Sequence, residues 1–105
     1  MLKAIKNALG LGPKLDYKQA LKNGAIIVDV RSKGEYAGGH IPGSVNIPVE
    51  SLMGNLNKLN NKNQTIITCC ASGIRSGSAK MMLKGKGYTD VHNGGSWFSL
   101  GKKIM

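Results

Sequence analysis

Acidic residues are scarce in this chain: 5 Asp or Glu among 105 residues stand against 15 Lys or Arg, a formal net charge of +10. Arginine is scarcer still, with Arg31 and Arg75 alone beside 13 lysines spread along the whole length. Proteins that read nucleic acid lean on arginine forks, clustered basic patches and stacking aromatics. Aromatics are 5% here and no basic block exceeds two consecutive residues. The charge therefore reads as a solvated cationic surface open to small anions, not as a nucleic-acid interface. Long apolar runs are missing too. Stretches such as Ala25-Ile26-Ile27-Val28 are far too short for a bilayer, which excludes a transmembrane segment. The first residues hold no uninterrupted apolar core with a cleavage site, so no secretory signal is expected and a cytoplasmic location is. Cysteine is confined to the adjacent pair Cys69 and Cys70. Sequence neighbours cannot staple distant parts of a fold, and metal sites use spacings such as C-x-x-C. No disulfide scaffold, metal site or cofactor is called for, and free thiols suit a reducing compartment.

What is present fits one domain with one core, at 41% hydrophobic residues. Leu2, Ile5 and Leu9 mark residues 1–13 as a short amphipathic segment able to lie over the domain, fray, or touch a membrane surface or a partner, leaving 14–105 as the domain proper. Asp16 can cap a helix through Leu21 that Asn23-Gly24 stops. Ala25 to Val30 and Thr65 to Cys69 are short β-branched runs that read as buried strands. Between them, Ser32-Lys33-Gly34-Glu35 matches a capping box, with a helix ending at Gly38-Gly39. Ser44 to Ile47 reads as a short strand, and Leu52, Leu56 and Leu59 mark one face of a helix weakened by Gly54 and Asn55. Ile74 to Lys84 turns helical again, with Ala79, Met82 and Leu83 on one face. Thr89 to His92 reads as a last strand and Ser96 to Leu100 as a last helical turn. Strands alternating with helices argue for an α/β domain with a parallel sheet covered on both faces.

In open α/β sheets, ligands bind beyond the carboxyl ends of the strands. Cys70 falls there, followed by the small loop Ala71-Ser72-Gly73-Ile74-Arg75 and a helix. Backbone N–H groups and a helix N-terminus can converge on such a thiol, hold an anion and stabilise a thiolate. Gly73 permits the tight curvature. Cys69, one residue earlier, should face the other side of the strand and belong to the core. Arg75 offers a rigid fork that could bind an anionic substrate or tie the loop down, while Arg31, beside Asp29 and Glu35, reads as an internal ion pair. His92 could approach the site from a strand end. Trp97 and Phe98 read as packing.

Three stretches carry a family resemblance: Asp29-Val30-Arg31 with Glu35-Tyr36 and Gly39-His40-Ile41-Pro42-Gly43-Ser44-Val45-Asn46-Ile47-Pro48; the loop Cys70-Ala71-Ser72-Gly73-Ile74-Arg75-Ser76; and Gly94-Gly95 before Trp97. Together they resemble rhodanese-like domains. The resemblance implies a five-stranded, mainly parallel sheet with helices on both faces. It also implies sulfur transfer, with Cys70 as the nucleophile that takes a sulfane sulfur from thiosulfate or a persulfide, and residues 71 to 75 holding the persulfide until a thiophilic acceptor removes it. Asp29, Arg31, Glu35 and His40 are then structural supports. Four residues separate Cys70 from Arg75, whereas related phosphatases and arsenate reductases have a longer loop preceded by His. Sulfur transfer is therefore favoured over phosphate or arsenate chemistry. Ala71 stands where many family loops carry a charged or larger residue, which points away from tight thiosulfate binding and towards a persulfide donor. The alternative is a sulfur-carrier module that docks a partner protein and has little small-molecule turnover.

Overall fold

The computed structural model describes residues 15–105; the amphipathic segment expected over 1–13 lies outside them. Helix α1, Tyr17–Lys22, starts at Asp16, whose carboxylate accepts the Gln19 N–H. Strand β1, Ile26–Asp29, follows at once. Helix α2, Lys33–Ala37, carries the reciprocal capping box: Ser32 accepts the Glu35 N–H, and the Glu35 carboxylate accepts the Ser32 N–H. Then come β2, Val45–Asn46, and a 3-10 segment, Val49–Lys58. The expected α-helix over Leu52 to Leu59 is this tighter winding, broken at Asn55, where φ of −126° leaves the helical region. Strand β3 spans Ile66–Cys70, helix α3 Ile74–Gly85, strand β4 Val91–Ser96 and helix α4 Trp97–Ile104.

All pairings are parallel, in the order β2-β1-β3-β4. Among the described residues there are four strands, one fewer than the five implied by the resemblance. Among the described residues the chain between these strands is helix, 3-10 segment and turn. Side chains alternate across the sheet. Val28, Val30, Ile66 and Cys70 face Leu52, Leu59, Ala79 and Leu83 of the 3-10 segment and α3. Ile27, Ile67 and Cys69 face the other way, towards Tyr17, Leu21, Trp97 and Leu100 of α1 and α4. Helices thus cover both faces. Full burial of each such aliphatic side chain contributes about 1.5–3 kcal/mol.

Strand β4 is displaced from the expected Thr89 to His92 and runs through Asn93-Gly94-Gly95, residues that ordinarily mark a turn. The reason is close packing. A Cβ at Gly94 would lie 2.8 Å from Ile67 Cγ2, 2.9 Å from Leu100 Cδ2 and 3.0 Å from the Thr68 carbonyl. Glycine is here because β4 is pressed between β3 and α4, not because the chain turns. Helix α4 correspondingly runs beyond the single turn expected, to Ile104.

Candidate active site

Parallel strands all end on one edge of the sheet, and Cys70 is the last residue of β3 on that edge. The chain then reverses through Ala71 and Ser72 to Gly73, which caps α3 with φ of +102°. A residue with a Cβ would be strained there and would crowd Gly95 Cα at 3.3 Å. This reversal turns backbone donors back towards the thiol. The Gly73 N–H donates to Cys70 Sγ at 2.9 Å and the Ser76 N–H at 3.4 Å, while Ser76 Oγ lies 3.4 Å away. Burial pushes the thiol's pKa up, but hydrogen bonds from the Ser76 hydroxyl and from the Ser76, Gly73 and Ser72 N–H groups outweigh it. The net effect lowers the Cys70 pKa from its ordinary value. Cys69 is equally inaccessible but meets no such donors, and burial first, with Asp29 nearby, pushes its pKa up to about 12. One residue of strand alternation separates a poised thiol from an inert one.

Ser76 and Asn93 were not among the expected site residues. Ser76 is wholly buried, and its hydroxyl also lies 2.6 Å from Asn93 Oδ1. Asn93 in turn accepts the Gly95 N–H at 2.9 Å and donates through Nδ2 to the Gly73 carbonyl at 3.0 Å. Strand β4 thereby clamps the cysteine loop from its far side. The sequence signal for Ser76 was its place at the end of the loop motif. Asn93 had none, since Asn-Gly-Gly reads as a turn.

Arg75 ties the loop down: its two terminal nitrogens donate to the Glu35 carboxylate at 2.7 and 2.9 Å, linking α3 to α2. Arg75 first, then the Ser32 N–H, holds the Glu35 carboxyl down at about 2. Glu35 therefore serves Arg75, and Arg31 receives only its main-chain carbonyl, at 3.3 Å. The Arg31 carboxylate partner is Asp29, buried with it and bonded through Nε and one terminal nitrogen, the closest contact being 2.7 Å. Arg31 also donates to the Gly39 carbonyl at 2.7 Å and stacks 4.4 Å over Trp97. It fastens the α2–β2 loop and the start of α4 to the sheet edge. His40 stacks on Tyr36 at 3.7 Å, and its Nδ1 lies 2.8 Å from the Tyr36 carbonyl. His92 sits near the start of β4, the end away from the cysteine, and meets Asp90 at 2.6 Å. It does not approach the site. Phe98 is 58% exposed and so is not core packing, unlike Trp97 beneath Arg31. Ala71 and Ser72 are exposed, and Ile74 is 78% exposed at the loop's outer edge. Among the described residues no group of three or more His, Cys, Asp or Glu side chains could hold a metal ion, and no helix is long and apolar enough to cross a membrane.

The family model for the rhodanese-like domain matches residues 14–98. A thiosulfate sulfurtransferase of Escherichia coli, PspE, is 36% identical over 69 residues, covering 65% of this chain and 66% of its own. A tRNA sulfurtransferase of Thermoplasma acidophilum is 30% identical over 86 residues, 82% of this chain but 17% of its own length. The chain thus spans less than two thirds of these relatives. The solved structure of a rhodanese with anions from E. coli superposes with a TM-score of 0.67 at 33% identity, covering 70% of this chain and 88% of that one. On the match over most of its length, with the cysteine loop at the sheet edge, this chain belongs to the rhodanese-like domain family.

Proposed function

We propose that this protein is a sulfurtransferase working through a persulfide on Cys70. The observation that carries the reading is the pair of donors on Cys70 Sγ, the Gly73 N–H and the Ser76 N–H, with the Ser76 hydroxyl beside them, at the N-terminal end of α3. Such donors stabilise the thiolate, which is the nucleophilic form. The thiolate bonds to the outer sulfur of thiosulfate, or to the sulfane sulfur of a persulfide. The donor's S–S bond breaks with its electron pair, and sulfite, or the donor thiol, leaves. The terminal sulfur now on Cys70 carries the negative charge, and the loop N–H groups of residues 71 to 75 stabilise it. Arg75 holds the loop through Glu35, while Asp29, Arg31 and His40 brace the edge on which it stands. A thiophile such as cyanide or an acceptor thiol then attacks the terminal sulfur and returns Cys70 as thiolate. The names of the relatives, thiosulfate sulfurtransferase and tRNA sulfurtransferase, support this class of chemistry.

The test is steady-state transfer to cyanide, following thiocyanate while both substrates are varied. A covalent intermediate gives parallel double-reciprocal lines. Converging lines would contradict the persulfide route. Loading of sulfur without turnover would shift the reading to a sulfur carrier that passes its sulfur to a protein partner.

A further inference from the structure

The chain carries +10 overall, yet Arg75, the arginine of the cysteine loop, is met by acid. Glu35 and Glu50, two of the five acids, both act on Arg75: Glu35 by direct contact at 2.7 and 2.9 Å, Glu50 by its field. The Glu35 carboxylate is itself fixed, because the capping box supplies the Ser32 N–H at 3.1 Å to the same oxygen that meets Arg75. The loop arginine therefore presents an occupied fork. An incoming anion must either displace a preorganised carboxylate or load the thiol beside it, and this penalty grows with the anion's charge.

We propose that Glu35 determines donor specificity: by occupying the Arg75 fork and cancelling its charge, it disfavours dianionic sulfur donors such as thiosulfate and favours singly charged ones. The inference rests on the persulfide reading and names the donor class within it. Two donors with the same chemistry isolate charge. Thiosulfate is a dianion and loses sulfite; an arenethiosulfonate is a monoanion, and the same attack on its outer sulfur expels the arenesulfinate with the bonding pair. Glu35→Gln is the informative variant, since glutamine keeps the capping-box acceptor while losing the charge.

Sulfur loading of Cys70 should be measured by intact mass against donor concentration. In Glu35→Gln, the second-order rate should rise by roughly tenfold for thiosulfate and roughly threefold for the monoanion, because removing one charge acts twice as strongly on a dianion. The gain should lie in the half-saturating concentration and shrink in high salt. Ser32→Ala removes the hydroxyl that accepts the Glu35 N–H but leaves the carboxylate. It should lower stability and keep the wild-type ratio of the two donors. Equal changes for both donors in Glu35→Gln, or a changed ratio in Ser32→Ala, would overturn the inference while leaving the persulfide reading intact. Absence of loading from either donor in wild type and variant alike would overturn both.

Discussion

Replacing Ser76 by alanine removes one donor from the cysteine thiolate while leaving the Ser76 N–H in place. The hydroxyl has one proton and two acceptors within reach, Asn93 Oδ1 at 2.6 Å and Cys70 Sγ at 3.4 Å. With Cys70 protonated, the S–H can donate to Ser76 and Ser76 to Asn93. On ionisation the serine proton must swing to sulfur, and Asn93 Oδ1 keeps the Gly95 N–H. A hydrogen bond to a charged partner contributes about 1.5–3 kcal/mol, and losing the Asn93 bond offsets part of it. A net loss near 1.4 kcal/mol is about one pKa unit. The Ser76→Ala thiol should therefore ionise about one unit higher than wild type. The assay is the rate of alkylation of Cys70 by iodoacetamide across pH, read by mass. Wild type should show an acid limb below the ordinary thiol value of about 8.5. The variant's limb should move up, with rates roughly tenfold lower at pH values below both midpoints. Stability follows the same linkage: the lowered thiol pKa stabilises the wild type above about pH 8.5. That advantage fades as pH falls through the folded-state value. An unmoved limb, or one moved to lower pH, would refute this account of the thiol.

Two further variants test the frame around the loop. Asp29→Asn leaves Arg31 buried without its carboxylate and should cost about 3–5 kcal/mol in urea unfolding; a loss below about 1 kcal/mol, the scale of a surface pair, would mean that Arg31 finds water instead. Gly94→Ala drives a methyl group into Ile67, Leu100 and the Thr68 carbonyl and should cost about 1–3 kcal/mol. An unchanged unfolding midpoint would show that β4 is not pressed against β3 and α4 as described.

Local rules made much of this fold legible. The caps at Asp16 and Ser32, the apolar strands around Val28 and Ile67, and the thiol at the carboxyl end of β3 follow from residue types and spacing. Where glycine and asparagine stand for close packing or a clamp, local rules fail. Asn93-Gly94-Gly95 is a strand only because α4 and β3 enclose it, and Asn93 braces the cysteine loop only because Thr68 of β3 pairs with it. The partner of Glu35 was likewise hidden, since spacing sets it beside Arg31 and only the placement of α3 beside α2 brings it Arg75. Leu52 to Leu59 kept its apolar face but not its expected helical winding, which Asn55 interrupts.

The central claim is that sulfur rides on Cys70 and not on its neighbour. Intact mass after incubation with a sulfane-sulfur donor, repeated after cyanide and followed by peptide mapping, addresses it directly in wild type, Cys69→Ala and Cys70→Ser. The account predicts one added sulfur on Cys70, discharged by cyanide, retained in Cys69→Ala and absent in Cys70→Ser. Sulfur on Cys69, or equal loading of Cys70→Ser, would contradict it.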